Sequence, residues 1–286
     1  MVGPGTVGPG TVGALVRAAA VVILTGATIL GIAAPARAGG PGESITGDFN
    51  GDGRADSAVL TAVAAHSVDC QITVSASGEP QRTYTYLSLA DGQYCPDMGT
   101  AAQVDGTGPD EIVLGWFAGP PPSIDYELLT LQLFAVIGTA RAIWQPCFLG
   151  RADFNGDGRD DLYEWTDQGE GYRTYLSTGT GTFEPGPQRH PGTPSQLVIR
   201  DLNHNRAMDT LLSYVDYDAS GVAVLLDGGS VQDLQRDRTA GTSWTVRVVN
   251  VNGDRYPDVL TIDRNTHRRT YFVNTGTGRF VRVPGV

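Results

Sequence analysis

The stretch Asp153-Phe154-Asn155-Gly156-Asp157-Gly158-Arg159-Asp160-Asp161 decides how this chain is read, because it recurs almost unchanged as Asp48-Phe49-Asn50-Gly51-Asp52-Gly53-Arg54-Ala55-Asp56. Each copy sets oxygen-bearing side chains at positions 1, 3, 5 and 9 and a glycine at position 6. Hard oxygen donors on alternate residues, wound around a glycine that permits a sharp turn, are what a calcium ion requires. Looser copies run from Asp105 to Asp110, from Asp201 to Asp209 and from Asn250 to Asp258. The five loops therefore begin at 48, 105, 153, 201 and 250. A period of this size predicts repeated supersecondary units.

The repeat extends past the loops. Arg173-Thr174-Tyr175 through Phe183 recurs as Arg269-Thr270-Tyr271 through Phe280, and each copy reads as a strand, a Gly-rich hairpin turn and an aromatic that opens the next strand. Short apolar runs follow the acidic loops at Ser57–Leu60, Glu111–Leu114, Leu162–Trp165, Thr210–Tyr214 and Val259–Ile262. One unit is then strand, acidic loop, strand, turn, strand, turn, strand. Four strands in such a length make one blade, so the expected fold is all-β, a β-propeller of about five four-stranded blades. The rival is an EF-hand, because the third loop continues to Glu164 at position 12. Pro146 and Gly150 before that loop, and Tyr163, Trp165 and Gly169-Glu170-Gly171 after it, favour strands where an EF-hand needs helices.

These residues resemble the FG-GAP/VCBS repeat family, whose blades carry a D-x-N-x-D-G-x-x-D calcium loop. The resemblance runs from about Ser44 to Phe280 and is most specific in the first and third repeats. It implies a calcium-binding propeller, as in adhesion proteins, some lectins and accessory domains of carbohydrate-active enzymes. Family propellers often have seven blades, and five are found here. Carried over by position, the implied ligands are Asp48, Asn50, Asp52 and Asp56 with the Arg54 carbonyl. In the third repeat they are Asp153, Asn155, Asp157 and Asp161 with the Arg159 carbonyl, and in the fifth Asn250, Asn252, Asp254 and Asp258 with the Tyr256 carbonyl. The fifth loop has only two carboxylates, and the fourth places Arg206 at position 6, so both should bind less well. The second, counted from Asp105 to Asp110, is three residues short and is expected to bind nothing.

Residues 1–38 are expected to be a signal peptide: Arg17 precedes the apolar run Ala18–Ala34, and Ala36-Arg37-Ala38 has the small-x-small form of a cleavage site. The propeller would occupy 39–286, with repeats starting near 46, 102, 151, 199 and 248. The formal charge is −11, and cleavage of that segment would deepen it by two. Such acidity argues against nucleic acid or an anionic membrane as partner, and no second segment of membrane length follows. All 20 basic residues are Arg, which excludes Schiff-base and lysine-dependent chemistry. Of the three cysteines, Cys70 and Cys95 fall in one repeat and are the expected disulfide, with Cys147 a core residue.

His66, His190, His204 and His267 are scattered and read as surface or turn residues, and no G-x-S-x-G, H-E-x-x-H or P-loop occurs. The pairs Asp110-Glu111 and Asp160-Asp161 suit glycoside hydrolysis poorly, since adjacent strand residues face opposite sides and one of each pair belongs to a metal loop. Arg54-Ala55-Asp56 and Arg159-Asp160-Asp161 resemble adhesion tripeptides, but their last Asp is position 9 of a loop. Trp116, Trp144, Trp165 and Trp244 read as filling between blades. The expectation is a secreted or cell-envelope module that binds an extracellular glycan or protein and does not catalyse. Its ligand would meet rim loops such as Gly119–Ser123 and exposed tyrosines, with Tyr84, Tyr86 and Tyr126 as candidates. The alternatives are a carbohydrate-active lyase or hydrolase and a structural envelope protein.

Overall fold

Alternating apolar and polar residues on both sides of each acidic loop favour strands that bury one face. A computed structural model of the chain bears this out. It describes residues 43–62, 69–87, 98–115, 126–132, 135–142, 148–166, 171–238 and 242–284. The first sheet comprises β1 (Ser44–Gly47), β2 (Asp56–Ala62), β3 (Asp69–Ser75) and β4 (Arg82–Leu87). The second comprises β5 (Met98–Ala102), β6 (Glu111–Gly115), β7 (Tyr126–Gln132) and β8 (Ala135–Ala142). The third holds β9 (Phe148–Ala152), β10 (Asp161–Thr166), β11 (Gly171–Ser177) and β12 (Phe183–His190). The fourth holds β13 (Thr193–Arg200), β14 (Asp209–Val215), β15 (Ser220–Leu225) and β16 (Val231–Asp237). The fifth holds β17 (Trp244–Val249), β18 (Asp258–Asp263), β19 (Arg269–Asn274) and β20 (Phe280–Val283). All lie within the compact unit Ala34–Val286.

Every sheet is an antiparallel meander in chain order, so every acidic loop joins a first strand to a second. Loop three lies between β9 and β10, whose register pairs Asp161 with Ala152 and Trp165 with Phe148. Strands on both sides dispose of the EF-hand alternative. Glu164 sits inside β10, where its carboxylate accepts a hydrogen bond from the Tyr175 hydroxyl at 2.6 Å.

Four buried clusters fill the seams between successive sheets. Ile45, Leu60 and Ile72 of the first sheet meet Ile112 and Leu114 of the second. Met98 and Val113 meet Leu149, Leu162 and Tyr175 at the next seam. Phe154, Tyr163 and Tyr172 meet Leu212, Tyr214 and Leu225 between the third and fourth. Leu211, Val222 and Val224 meet Val246, Val259 and Phe272 between the fourth and fifth. Each side chain so buried contributes roughly 1.5–3 kcal/mol. The third seam is aromatic, with Tyr163 edge-on to Phe154 at 6.0 Å and 6.1 Å from Tyr172. Gly150 lies opposite Tyr163 across the ladder, and a Cβ there would come within 2.3 Å of the phenol ring. Trp165 and Trp244 pack against these cores, as expected of blade fillers.

First strands adjoin at three seams, β1 on β5, β5 on β9 and β13 on β17, while between the third and fourth sheets β13 lies against β10 and β11. Last strands adjoin where β12 meets β8 and β20 meets β16. The architecture is therefore propeller-like, with consecutive sheets stacked face to face. Alternation leaves each end of the series with a face of its own. On the first sheet that face carries Ser44, Thr46, Thr61, Thr73 and Thr83 around the half-buried Val59, with the Thr73 and Thr83 hydroxyls 3.1 Å apart. On the fifth it carries Leu260, Ile262, Tyr271 and Val281, with Arg247 exposed among them.

Several expectations fall outside the described residues: the segment 1–38, Cys95, Cys147 and the Cys70 side chain. The same is true of His66, Trp116, Trp144, the rim loop 119–123 and the side chains of Tyr84, Tyr86 and Tyr126.

Candidate functional site

A carboxylate at position 1 organises its loop by accepting the amides that curl over it. In loop one, Asp48 Oδ1 accepts the N–H groups of Gly51 at 2.8 Å and Asp52 at 3.0 Å, and Oδ2 accepts that of Gly53 at 2.8 Å. Gly51 and Gly53 take φ of 76° and 79°, a region that L side chains avoid. Asn50 Oδ1 accepts the Asp52 amide at 3.1 Å, and Asp52 Oδ1 accepts the Arg54 amide at 2.8 Å. The other Asp52 oxygen takes the Ser77 hydroxyl, and that bond holds the carboxyl below its usual range.

Loop three repeats the pattern. Asp153 accepts the amides of Gly156 at 2.6 Å, Asp157 at 3.2 Å and Gly158 at 2.9 Å. Asn155 Oδ1 accepts the Asp157 amide at 3.0 Å. Asp157 differs from Asp52, because its second oxygen faces the Arg159 guanidinium and the Asn155 amide nitrogen. Burial pushes the Asp157 carboxyl up, but these bonds and the Arg159 amide outweigh it and leave the pKa lowered.

Position 9 behaves differently from the others. Asp161 is fully buried; Oδ2 accepts the Phe154 amide at 2.7 Å and Oδ1 accepts the Ser177 amide at 2.7 Å. Asp56 binds the amides of Phe49 and Ser77 in the same way, Asp209 those of Leu202 and Asp227, and Asp258 those of Val251 and Asn274. In each case one carboxylate ties the start of the loop to the end of the third strand. Burial, reinforced by the charges of Asp157 and Asp153, pushes the Asp161 pKa up to about 7 despite the two amides. Burial likewise raises Asp209 to about 6.

The second loop corrects the sequence reading. Val104 N–H donates to Glu111 Oε2 at 2.7 Å, the same bond that Phe49 makes to Asp56. Glu111, not Asp110, therefore holds position 9, and the loop runs the full nine residues from Gln103 to Glu111. Asp105 and Thr107 occupy positions 3 and 5, and the neutral Gln103 occupies position 1. Burial raises the Glu111 pKa.

Asp110 instead stands at position 8, where sequence reading saw no role. Its carboxylate accepts the Asp48 amide at 3.0 Å, and its own amide donates to the Asp48 carbonyl at 2.7 Å. Asp160 makes the same two-way clamp to Gln103, at 2.9 Å and 2.8 Å. Arg151 joins the clamps, with its guanidinium 2.8 Å from Asp160 and 3.7 Å from Asp110. Met208 keeps the backbone half by donating to the Asp153 carbonyl at 2.8 Å. Position 8 of the fifth loop is Pro257, which has no N–H to donate. There the His204 ring nitrogen meets the Arg255 carbonyl at 2.9 Å, and its ring edges against Tyr256.

The fourth loop closes on Asp201 with non-glycine residues in the left-handed region, His204 at φ 61° and Arg206 at φ 80°. In the fifth, Asn250 accepts the Gly253 amide at 2.7 Å, Asn252 that of Asp254 at 3.0 Å, and Asp254 that of Tyr256 at 2.7 Å. Its Asn252 side chain also donates to Asp254.

The donor set of loops one and three fits calcium in type and spacing: carboxylate, amide and carbonyl oxygens on alternate residues of an exposed turn. Among the described residues, however, no three acidic, His or Cys side chains converge on one point. Each loop is closed on its own amides. His190 proves to be no surface residue: it is 6 % exposed, its ring lies 4.1 Å from that of Tyr214, and Nδ1 accepts the Gly192 amide at 3.0 Å. His267 lies in an exposed turn at φ 58°.

Comparison with known proteins adds a family and solved structures of low similarity. No curated protein matches the chain. A crystal structure of a Bacteroides fragilis NCTC 9343 protein named as a 6-phosphogluconolactonase is similar over 79 % of this chain and 68 % of its own, at 14 % identity and a TM-score of 0.37. Neither fold nor activity transfers at that level. Residues 153–212 match the family model of the FG-GAP-like repeat, a span that opens on loop three and runs through loop four into β14. This chain carries an FG-GAP-like repeat, set in a series of five four-stranded sheets of the same plan.

Proposed function

We propose that the protein is a calcium-stabilised, non-catalytic binding module of the extracellular space or cell envelope, whose ligand is a glycan or another protein. The observation that carries this reading is the division of labour in the acidic loops. Position 9 is consumed by buried backbone bonds, while positions 1, 3 and 5 gather oxygens on an exposed turn. The most chemical-looking residues are thus occupied in holding a scaffold. Asp48, Asn50 and Asp52 of loop one and Asp153, Asn155 and Asp157 of loop three would hold the ion with the carbonyls of Arg54 and Arg159. The bound charge would offset the acidity of that rim. The segment ending at Ala36-Arg37-Ala38 supports export.

Calorimetry of the protein from residue 39 onward should detect calcium at two sites. A glycan array run with and without chelator should show dose-dependent binding that chelation weakens. Absence of calcium uptake would sink the metal half of the proposal. Turnover of a polysaccharide would replace the binding half with the enzyme alternative.

A further inference from the structure

The turns that join second strands to third strands lie on the edge of each sheet opposite the acidic loops. In the fourth sheet that turn is 216–219, closed by the Asp216 amide on the Ala219 carbonyl at 2.7 Å. It holds Tyr217 89 % exposed, beside Val215 at 38 %. Both faces of the phenol ring are left to water, whereas the tyrosines at the third seam are buried. The next residue, Asp218, lines an open cleft of about 590 Å³ together with Ala219, Arg236 and Arg238. Arg236 reaches this edge because β16 pairs it with Gly221, two residues past the turn.

Asp218, Arg236 and Arg238 share the cleft, yet among the described residues none of the three side chains makes a hydrogen bond or ion pair. Opposite charges held side by side without pairing leave both a fork of donors and a pair of acceptor oxygens open to a third party. A ligand that satisfies all of them must donate and accept from neighbouring atoms, as vicinal hydroxyls do. A flat exposed aromatic beside such groups suits the apolar face of a sugar ring. The cleft volume lies within the range of small-molecule sites. Asp216 and Asp233 act with Arg236 on the same His190 ring, so acidic groups neighbour that arginine and leave an anionic sugar little net attraction.

We infer that the turn 216–219 and the end of β16 form a subsite for one neutral hexopyranose residue of a glycan. Tyr217 stacks on the ring, and Asp218 with Arg236 and Arg238 brackets a pair of its hydroxyls. The inference rests on the reading that the protein binds glycans.

The test is calorimetry of the intact protein with neutral gluco-, galacto- and manno-oligosaccharides, alongside oligogalacturonate and a sulfated oligosaccharide. A neutral oligosaccharide should bind, and Tyr217→Ala and Arg236→Gln should each weaken it at least about tenfold while the melting temperature stays put. Tyr217→Phe, which keeps the ring, should retain affinity. A neutral glycan whose binding ignores Tyr217→Ala and Arg236→Gln would overturn this subsite and leave the glycan-binding reading standing. Binding confined to the acidic probes would also overturn it, and no binding by any probe would remove both.

Discussion

The carboxylate of Asp110, in the second repeat, accepts the backbone amide of Asp48, in the first, at 3.0 Å. Through it the rim of one sheet is fastened to the next at the point where a metal loop begins. Asp110→Ala should cost about 1–2 kcal/mol by leaving the part-buried Asp48 amide without its acceptor and Arg151 with one carboxylate fewer. Hydrogen exchange should then rise at Asp48 and Asp110 more than within β3. Unchanged exchange at both amides would show the clamp to be idle.

Positions 5 and 9 of loop three should separate cleanly. Asp161→Ala strands two buried amides, those of Phe154 and Ser177, and should cost about 2–5 kcal/mol with or without calcium. Asp157→Ala touches only an exposed turn and should be mild in chelator. Its effect should appear as lost calcium stabilisation, about 1.4–2.7 kcal/mol per site at about ten to a hundred times the dissociation constant. Equal losses for the two variants in chelator would contradict the assignment.

Arg206→Gly should stabilise the protein. Arg206 holds φ 80° where loops one and three have glycine, and relief of that conformation is worth about 1 kcal/mol. A thermal melt should shift upward by about 2–4 °C. A lower melting temperature would mean that the Arg206 side chain contributes more than its backbone costs.

Acid should loosen the seam between the third and fourth sheets through His190. Burial lowers its pKa, and its Nδ1 is committed to accepting the Gly192 amide. A base whose folded pKa is depressed contributes stability that is present above its unfolded value near 6.5 and is lost as pH falls through the folded one. His190 should therefore subtract from the melting temperature below about pH 6.5, against Asp161 and Asp209, whose raised pKa values add stability as the pH falls. His190→Asn, whose Oδ1 can accept the same amide, should flatten that part of the profile. Identical slopes for the two proteins would clear His190 of the effect.

The strands and four of the five loops were legible because their physics is local. Oxygen side chains at positions 1, 3, 5 and 9 recur in all four, with glycines at 4 and 6 in loops one and three, and alternation after Asp56, Asp161, Asp209 and Asp258 specifies the strand that follows. Loop two was misread because its most loop-like residue, Asp105, sits at position 3 and its anchor is a Glu. The signal was present in Val104 and Glu111, which keep the spacing of Phe49 and Asp56. The clamps were not legible. Position 8 reads Ala55, Asp110, Asp160, Met208 and Pro257, which looks like drift, yet its partner lies in the preceding repeat. The burial of His190 depends on Tyr214, which arrives from another sheet.

Five sheets share four cores, and each core draws its side chains from both neighbours. Cohesion in such a series resides at the joints and not within the members. Cutting after β16 would do more than delete the fifth sheet: it would bare Leu211, Val222 and Val224 on the fourth, surfaces built to be covered. A boundary that looks natural on paper, between one repeat and the next, is thus the worst place to divide this protein. Fragments should be designed to end on a hydroxyl-lined face such as the one the first sheet turns outward.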